Sequence, residues 1–188
     1  MRISPLQPEK MNPEVRYIHD EVVNLVTRSQ GPVQMLDQEG ALIGPFPPML
    51  RFPQFGIPAL SFVRSLDAHA TLPKKVREAA ILTVGAVFGC RFERYAHEIM
   101  AQHFGFSQEA AAASLASGNR PFDLNEEEAV AYEFAQLLAK GRIVPDSSYS
   151  LAVKLLGTDG TAELIFLIGA YVLLASVLNG FDVPAPEV

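Results

Sequence analysis

The chain has 188 residues, of which 49% are hydrophobic and 19% are charged, and it carries a single cysteine and a formal net charge of −6. This length predicts one globular domain over residues 12–188, preceded by a flexible N-terminal segment over residues 1–11. The scattered basic residues disfavour nucleic-acid binding, and a lone cysteine without an apolar leader segment predicts a cytoplasmic location.

The first predicted element is an amphipathic helix over residues 12–31. Asn12 is a candidate N-cap, Pro13 suits the first helical position, and Gly31 is a stop signal. Residues 37–58 follow with five prolines and three glycines, which predict an ordered apolar segment without a long helix.

The remaining pattern predicts further helices throughout the chain. They cover residues 58–70, 72–89 and 90–105, then segments opened by candidate caps at Ser107, Asn125 and Asp146, and finally residues 160–179. No segment alternates like a strand, so we predict an all-α fold of about eight helices. The apolar run 164–178 is shorter than the roughly 20 residues that cross a bilayer, so we expect a buried helix and no membrane association.

A thiol, a carboxylate and an imidazole share one helical face in the segment "GCRFERYAH". Cys90, Glu93 and His97 fall within an arc of about 60° at 100° per residue. Cys90 is predicted near a helix N-terminus, where unpaired N–H groups lower a thiol pKa. If the two helices fold back at Gly89, Glu78 lies opposite His97, so we predict a catalytic group of Glu78, Cys90, Glu93 and His97.

A packing explanation for these residues stays open at this stage. A lone cysteine is often a small buried apolar residue, and a helical histidine beside a glutamate is often a simple ion pair. The four histidines lack the spacing of a metal site, and no glycine-rich phosphate loop is present. We therefore expect neither a metal nor a cofactor.

The segment "LPKKVREAAILTVGAVFGCRFERYAHEIMAQHFGFS" resembles the core motif of the carboxymuconolactone decarboxylase family, whose superfamily includes alkyl hydroperoxidase D. The flanking segments "GALIGPFPPML" and "GTAELIFLIGAYVLLASVLNGFDVP" are also similar, so the resemblance spans about residues 35–185. It implies an all-α alkyl hydroperoxidase D-like domain. By matching motif positions, it implies that Glu78 is a relay acid, Cys90 the first cysteine and His97 the proton-transfer histidine.

Two positions indicate which branch of the superfamily the chain resembles. Glu93 stands where the hydroperoxidases have a second cysteine, which indicates the single-cysteine decarboxylase-type branch. That branch removes CO2 from a lactone carboxylate without a cofactor, so the implied activity is that of a lyase acting on a small lactone or carboxylated ring. A related proton transfer in a catabolic or biosynthetic pathway, such as an isomerisation, a dehydration or a ring closure, stays open. Arg94 replaces a tryptophan that is common in the family.

Four residues are candidates for substrate binding. Two other function classes also remain open. Arg94 is a candidate partner for a substrate carboxylate, and Phe46, Met49 and Phe52 are candidate pocket walls. The superfamily implies a homo-oligomer, as a trimer or hexamer or else a dimer, and the apolar segments 164–178 and 79–88 are its expected interface. The alternatives are a thiol peroxidase or redox protein that uses Cys90 with an external reductant, and a non-catalytic binding or assembly module.

Overall fold

Eight α-helices build the part of the chain that the computed structural model describes, which is residues 1–29, 31–106 and 109–186. They are α1 (Pro13–Ser29), α2 (Phe46–Arg51), α3 (Pro53–Ala68), α4 (Lys74–Val87), α5 (Arg91–His103), α6 (Glu109–Ala116), α7 (Glu126–Leu138) and α8 (Asp146–Gly180). Extended pairing in these residues is limited to one isolated bridge between Leu36 and Leu42. The predicted all-α class is confirmed.

Helix α4 is the central element of the core. It packs against α5, α6, α7 and α8, and its residues from Val76 to Gly85 are all buried. This all-round burial explains the apolar run that follows Glu78, because a helix surrounded by other helices has no solvent face. A smaller second cluster joins α1 to the segment before α3 through Val15, Val22, Leu42 and Leu50.

Several predicted helix ends agree with the structure. The Asn12 side chain accepts a hydrogen bond from the Val15 N–H at 2.9 Å, and Asn125 forms a capping box with Glu128. Asp146 is not a cap, because the helix begins there with Pro145 in the N-cap position and without a side-chain cap. The predicted cap Ser107 lies outside the described residues.

The proline-rich segment is more helical than the sequence predicts. Residues 46–51 form α2, and α3 begins at Pro53 rather than at Pro58. Proline at the first positions of a helix removes an N–H that has no partner there, so Pro47, Pro48 and Pro53 start helices instead of preventing them. Pro58 lies inside α3.

Helix α8 joins two helices that the sequence predicts as separate, across a kink at Gly157 with φ of 74°. By length and composition it meets the criteria for a membrane-crossing helix, and 44% of its most apolar window is buried within the protein. The core helix of a soluble protein meets the same criteria. Leu164, Leu167 and Ile168 face the core, whereas Phe166 and Leu173 are exposed, so only one face of the predicted buried helix is buried.

The N-terminal segment lies against the C-terminal end of α8. The Arg2 N–H donates to the Phe181 carbonyl at 2.8 Å, and its guanidinium donates to the Gly180 carbonyl at 2.7 Å. The flexibility of residues 1–11 stays a prediction, as does the assignment of residues 12–188 to one domain.

Candidate active site

The turn between α4 and α5 brings the predicted acid and histidine together. Gly89 ends α4 with φ of 60°, a conformation that favours glycine. Helix α5 then runs back along α4, so that His97 Nδ1 lies 2.8 Å from Glu78 Oε2. Glu78 is 5% exposed. The pairing leaves Nε2 as the ring nitrogen without a partner among the described residues.

Glu93 is a buried carboxyl on α5, beside the Cys90 thiol. It is 2% exposed, and neither of its oxygens has a partner in the described part of the chain. Burial raises the pKa of Glu93 well above its usual value, while the adjacent Cys90 thiol lowers it by a smaller amount. Burial therefore favours the protonated form of Glu93, which is able to donate a proton.

The structure contradicts the prediction that Cys90 has a lowered pKa. Cys90 is the N-cap of α5, but it is 1% exposed. Burial, and then the neighbouring Glu93 charge, raise the pKa of the Cys90 thiol to about 12. Desolvation outweighs the helix terminus because a thiolate loses its hydration at this depth. The thiol lies beside Glu93 and does not line the cavities described below.

A largely apolar cavity of about 260 Å³ lies next to His97 and Glu93, and we call it the inner chamber. Of the predicted site residues, Glu93, His97 and Phe46 line it. The full lining is Met35, Pro45, Phe46, Leu60, Val63, Asp67, Phe92, Glu93, Ala96, His97, Met100, Tyr171, Leu174 and Leu178. A buried carboxyl and an imidazole thus line the same apolar space, which suits proton transfer to a small substrate.

Tyr171 is a site residue that the sequence analysis missed. Its ring lies edge-on to the His97 ring, with centroids 5.0 Å apart. Burial and then the charges of Glu78, Asp67 and Glu93 raise the pKa of Tyr171 well above its usual value, so its hydroxyl is a neutral hydrogen-bond donor. Its only sequence signal is that it is the one tyrosine in the apolar run 164–178.

A more polar cavity of about 390 Å³ lies on the other side of His97 and Tyr171, and we call it the outer chamber. It is lined by Gly31, Pro32, Asp67, Lys74, Arg77, Glu78, Ile81, His97, Met100, His103, Phe104 and Tyr171. Asp67, His97, Met100 and Tyr171 line both chambers. The two chambers therefore share a boundary at the imidazole.

Arg77 is buried at the start of α4 and held by two carboxylates. It is 4% exposed, and its guanidinium contacts Asp67 at 2.5 Å and Glu163 at 3.3 Å. Glu163 also accepts hydrogen bonds from the backbone of Thr71 and Leu72. This network fixes the start of α4 against α8.

Three of the four predicted substrate-binding residues do not line the inner chamber. Arg94 lies along Gly85 of α4, with a buried Nε atom that has no partner among the described residues. Its position next to Glu93 on the helix turns it about 100° away from the chamber. Met49 and Phe52 line a separate cavity near the end of α8, where Phe52 stacks on Phe181 at 5.9 Å.

Comparison with known proteins supports the fold. The structure matches an alkylhydroperoxidase AhpD core protein, an uncharacterized peroxidase-related protein from Ralstonia eutropha JMP134, with a TM-score of 0.79. The identity is 14%, over 99% of this chain and 92% of that chain. The chain has the AhpD-like fold. The fold implied by the sequence resemblance is confirmed.

Other solved structures with the AhpD-like fold include an enzyme. The apo debrominase Bmp8 matches with a TM-score of 0.74 and 13% identity, over 98% of this chain and 92% of that one. A cysteine-to-alanine variant of Bmp8 in complex with 2,3,4-tribromopyrrole matches with a TM-score of 0.74 and 12% identity, over 100% and 92%. No protein-family model and no curated protein matches the sequence. At these identities the likeness shows the fold alone.

Proposed function

We propose that the protein is a cofactor-free enzyme that transfers protons to and from a small lactone or carboxylated ring, as a decarboxylase-like lyase. The observation that carries the proposal is the inner chamber, where the buried neutral acid Glu93 and the Glu78-paired imidazole of His97 line one apolar space. General acid catalysis requires a protonated group beside the reacting atom, and burial supplies such a group at Glu93.

The proposed step balances without a metal or redox partner. The bond between a ring carbon and its carboxylate breaks, CO2 leaves, and the electron pair enters the conjugated lactone. The ring carbon then takes a proton from Glu93 or from the His97 imidazolium. Water returns a proton to that group, and the hydroxide left behind combines with CO2 as bicarbonate, so one carboxylate and one water give the protonated ring and bicarbonate. Glu78 stabilises the charged imidazole from the outer chamber. The neutral Tyr171 hydroxyl supplies a hydrogen bond to a substrate oxygen.

The outer chamber supports binding of the substrate carboxylate. Lys74 and Arg77 line it, and Arg94, the cation predicted for this task, does not. Arg77 is already paired with Asp67 and Glu163, so Lys74 is the cation that we assign to the carboxylate. The size of the inner chamber suits one ring, and a five-membered ring is bound in the debrominase that shares the fold.

A thiol peroxidase is the second candidate, because a peroxidase-related protein shares the fold and Cys90 lies beside Glu93. The geometry favours it less. A peroxidatic cysteine needs a thiolate and access to peroxide, whereas the Cys90 thiol is buried and has a raised pKa. In a non-catalytic module, the buried Glu93 carboxyl would lower the free energy of unfolding without serving a function.

The proposal is tested by incubating the protein with a panel of carboxylated lactones and ring acids in D2O. We expect CO2 release and one deuterium at the carbon that loses the carboxylate, observed by NMR. Glu93→Gln and His97→Asn should each lower the rate at which both signals appear by about 10²–10⁴-fold, while Ser65→Ala, an exposed change on α3, should leave it unchanged. Peroxide consumption with formation of Cys90 sulfenic acid, and no CO2 release, would establish the thiol peroxidase instead.

A further inference from the structure

A second apolar cavity adjoins the inner chamber and has no role in the proposed proton transfer. It lies between α1 and α3, has a volume of about 350 Å³, and is lined by Ile18 and Val22 on α1 and by Ile57 and Ser61 on α3. We call it the α1–α3 groove. Three of its walls, Phe46, Leu60 and Val63, also line the inner chamber. The groove and the chamber therefore meet at these three side chains.

The lining of the groove suits a hydrocarbon group. Its charged lining residues are Glu21 and Arg64, which have opposite signs, and Tyr17 and Ser61 add two hydroxyls. A groove with this lining favours neither an anion nor a cation. Removing its apolar surface from water by contact with another apolar group is favourable. Phe46, at the boundary, is only partly buried, although it is a large aromatic side chain.

We infer that the substrate carries an apolar substituent that lies in the α1–α3 groove while its reacting ring lies in the inner chamber. The inference rests on the proposed function for the position of the ring at Glu93 and His97. Because the groove and the chamber share the walls Phe46, Leu60 and Val63, the occupant closest to the groove is a substituent on the ring that lies in the chamber. The substrate class is then an amphipathic one: a carboxylated ring with a hydrocarbon tail.

The inference is tested with 5-alkyl-2(5H)-furanones that carry methyl, butyl or heptyl chains, by isothermal titration calorimetry. Burial of each added methylene should tighten binding about three- to fourfold until the groove is filled. Ser61→Trp places an indole in the groove from an exposed position, so it should remove this length dependence and leave methyl-furanone binding unchanged. Ser65→Trp, one turn further along α3 and outside every cavity described above, is the matched control and should retain the dependence.

A second variant covers the case in which Ser61→Trp alters the fold. Ile57→Ala removes a groove wall without adding bulk, and it should weaken heptyl binding about tenfold or more while methyl binding is unchanged. Circular dichroism and the melting temperature show whether each variant is folded.

The outcomes separate this inference from the proposed function. Equal affinity for all chain lengths in the wild type, or a length dependence that survives Ser61→Trp, overturns the inference even if the carboxylated lactones are decarboxylated. Length-dependent binding without CO2 release from any lactone supports the groove and overturns the decarboxylase proposal. A fall in light-scattering mass on Ser61→Trp would show that a second copy of the chain occupies the groove, and would also overturn the inference.

Discussion

His97 Nδ1 lies 2.8 Å from Glu78 Oε2 across the α4–α5 hairpin, and the same imidazole forms part of the boundary between the two chambers. His97→Asn removes the proton-transfer group but keeps a polar side chain, so we expect the rate of CO2 release to fall by about 10²–10⁴-fold in a folded protein. His69→Asn is the matched control, because His69 is exposed at the end of α3 and lines neither chamber. An active His97→Asn protein would remove the histidine from the mechanism.

The buried acid Glu93 predicts a pH-dependent stability. Its pKa is raised in the folded state, so the unfolded carboxyl loses its proton near pH 4.3 while the folded one keeps it. Fewer protons are then bound in the unfolded state, and the free energy of unfolding falls as pH rises above about 4.3, by at most about 1.4 kcal/mol per pH unit. Glu93→Gln should remove this fall.

The measurement is urea denaturation of both proteins from pH 4.5 to pH 8. We expect Glu93→Gln to be the more stable protein at pH 8 and the two to converge at the acid end. Glu39→Gln, in an exposed loop, should follow the wild-type curve. Parallel curves for wild type and Glu93→Gln would mean that the carboxyl is charged in the folded protein, and that it is not the proton donor.

Cys90 should behave as a structural thiol. With a pKa of about 12 and 1% exposure, it should react with Ellman's reagent at pH 7.5 only when the protein unfolds. Cys90→Ser should cost less activity than His97→Asn. The measurements are labelling rates with and without urea and CO2 release by the variant. Rapid labelling of the native protein, with complete loss of activity in Cys90→Ser, would favour thiol chemistry.

The parts of this site that the sequence predicts depend on short-range geometry. Glu93 and His97 share a helix face, and Gly89 sets the hairpin that places Glu78 opposite His97, so the spacing along two adjacent helices was sufficient. The capping signals at Asn12 and Asn125 are equally local. These features depend on a few neighbouring residues, and the all-α class follows from them.

The parts that the sequence does not predict depend on contacts between distant segments. Tyr171 reaches His97 only because α8 packs along α4, and Arg77 is buried only because Asp67 and Glu163 arrive from α3 and α8. The error at Cys90 has the same origin. Its place at a helix terminus is readable from the sequence, but the burial that decides its pKa is set by tertiary packing.

Lys74 should bind the substrate carboxylate in the outer chamber. Its ammonium lies 5.6 Å from the centroid of the Phe104 ring, and it is exposed to the chamber. We expect Lys74→Gln to raise KM for a carboxylated lactone about tenfold and to leave kcat nearly unchanged. The reason is that a charge which binds the substrate and the transition state equally affects KM and not kcat. Lys75→Gln is a close control, since Lys75 lies similarly over Phe106 but lines neither chamber. Equal effects of the two changes would indicate a general loss of positive charge.

The exposed apolar face of α8 predicts a homo-oligomer. Phe166 is 60% exposed and Leu173 44%, and the exposed Phe62 of α3 lies edge-on to Phe166, with ring centroids 6.3 Å apart. Residues 79–88 of α4, the other expected interface, are mostly buried in the core of the chain itself. A contiguous apolar patch of this kind is usually covered by a partner.

We therefore expect a light-scattering mass that is a multiple of the 20.5 kDa chain, at micromolar concentration. Phe166→Glu should lower this mass, because a charged group in an apolar interface loses its hydration without gaining a partner. Phe122→Glu, at a position that is 94% exposed and lies before α7, is the control and should leave the mass unchanged. A wild-type mass of one chain would show that the α8 face is solvent-exposed in the free protein, and an equal loss of mass in both variants would place the interface elsewhere.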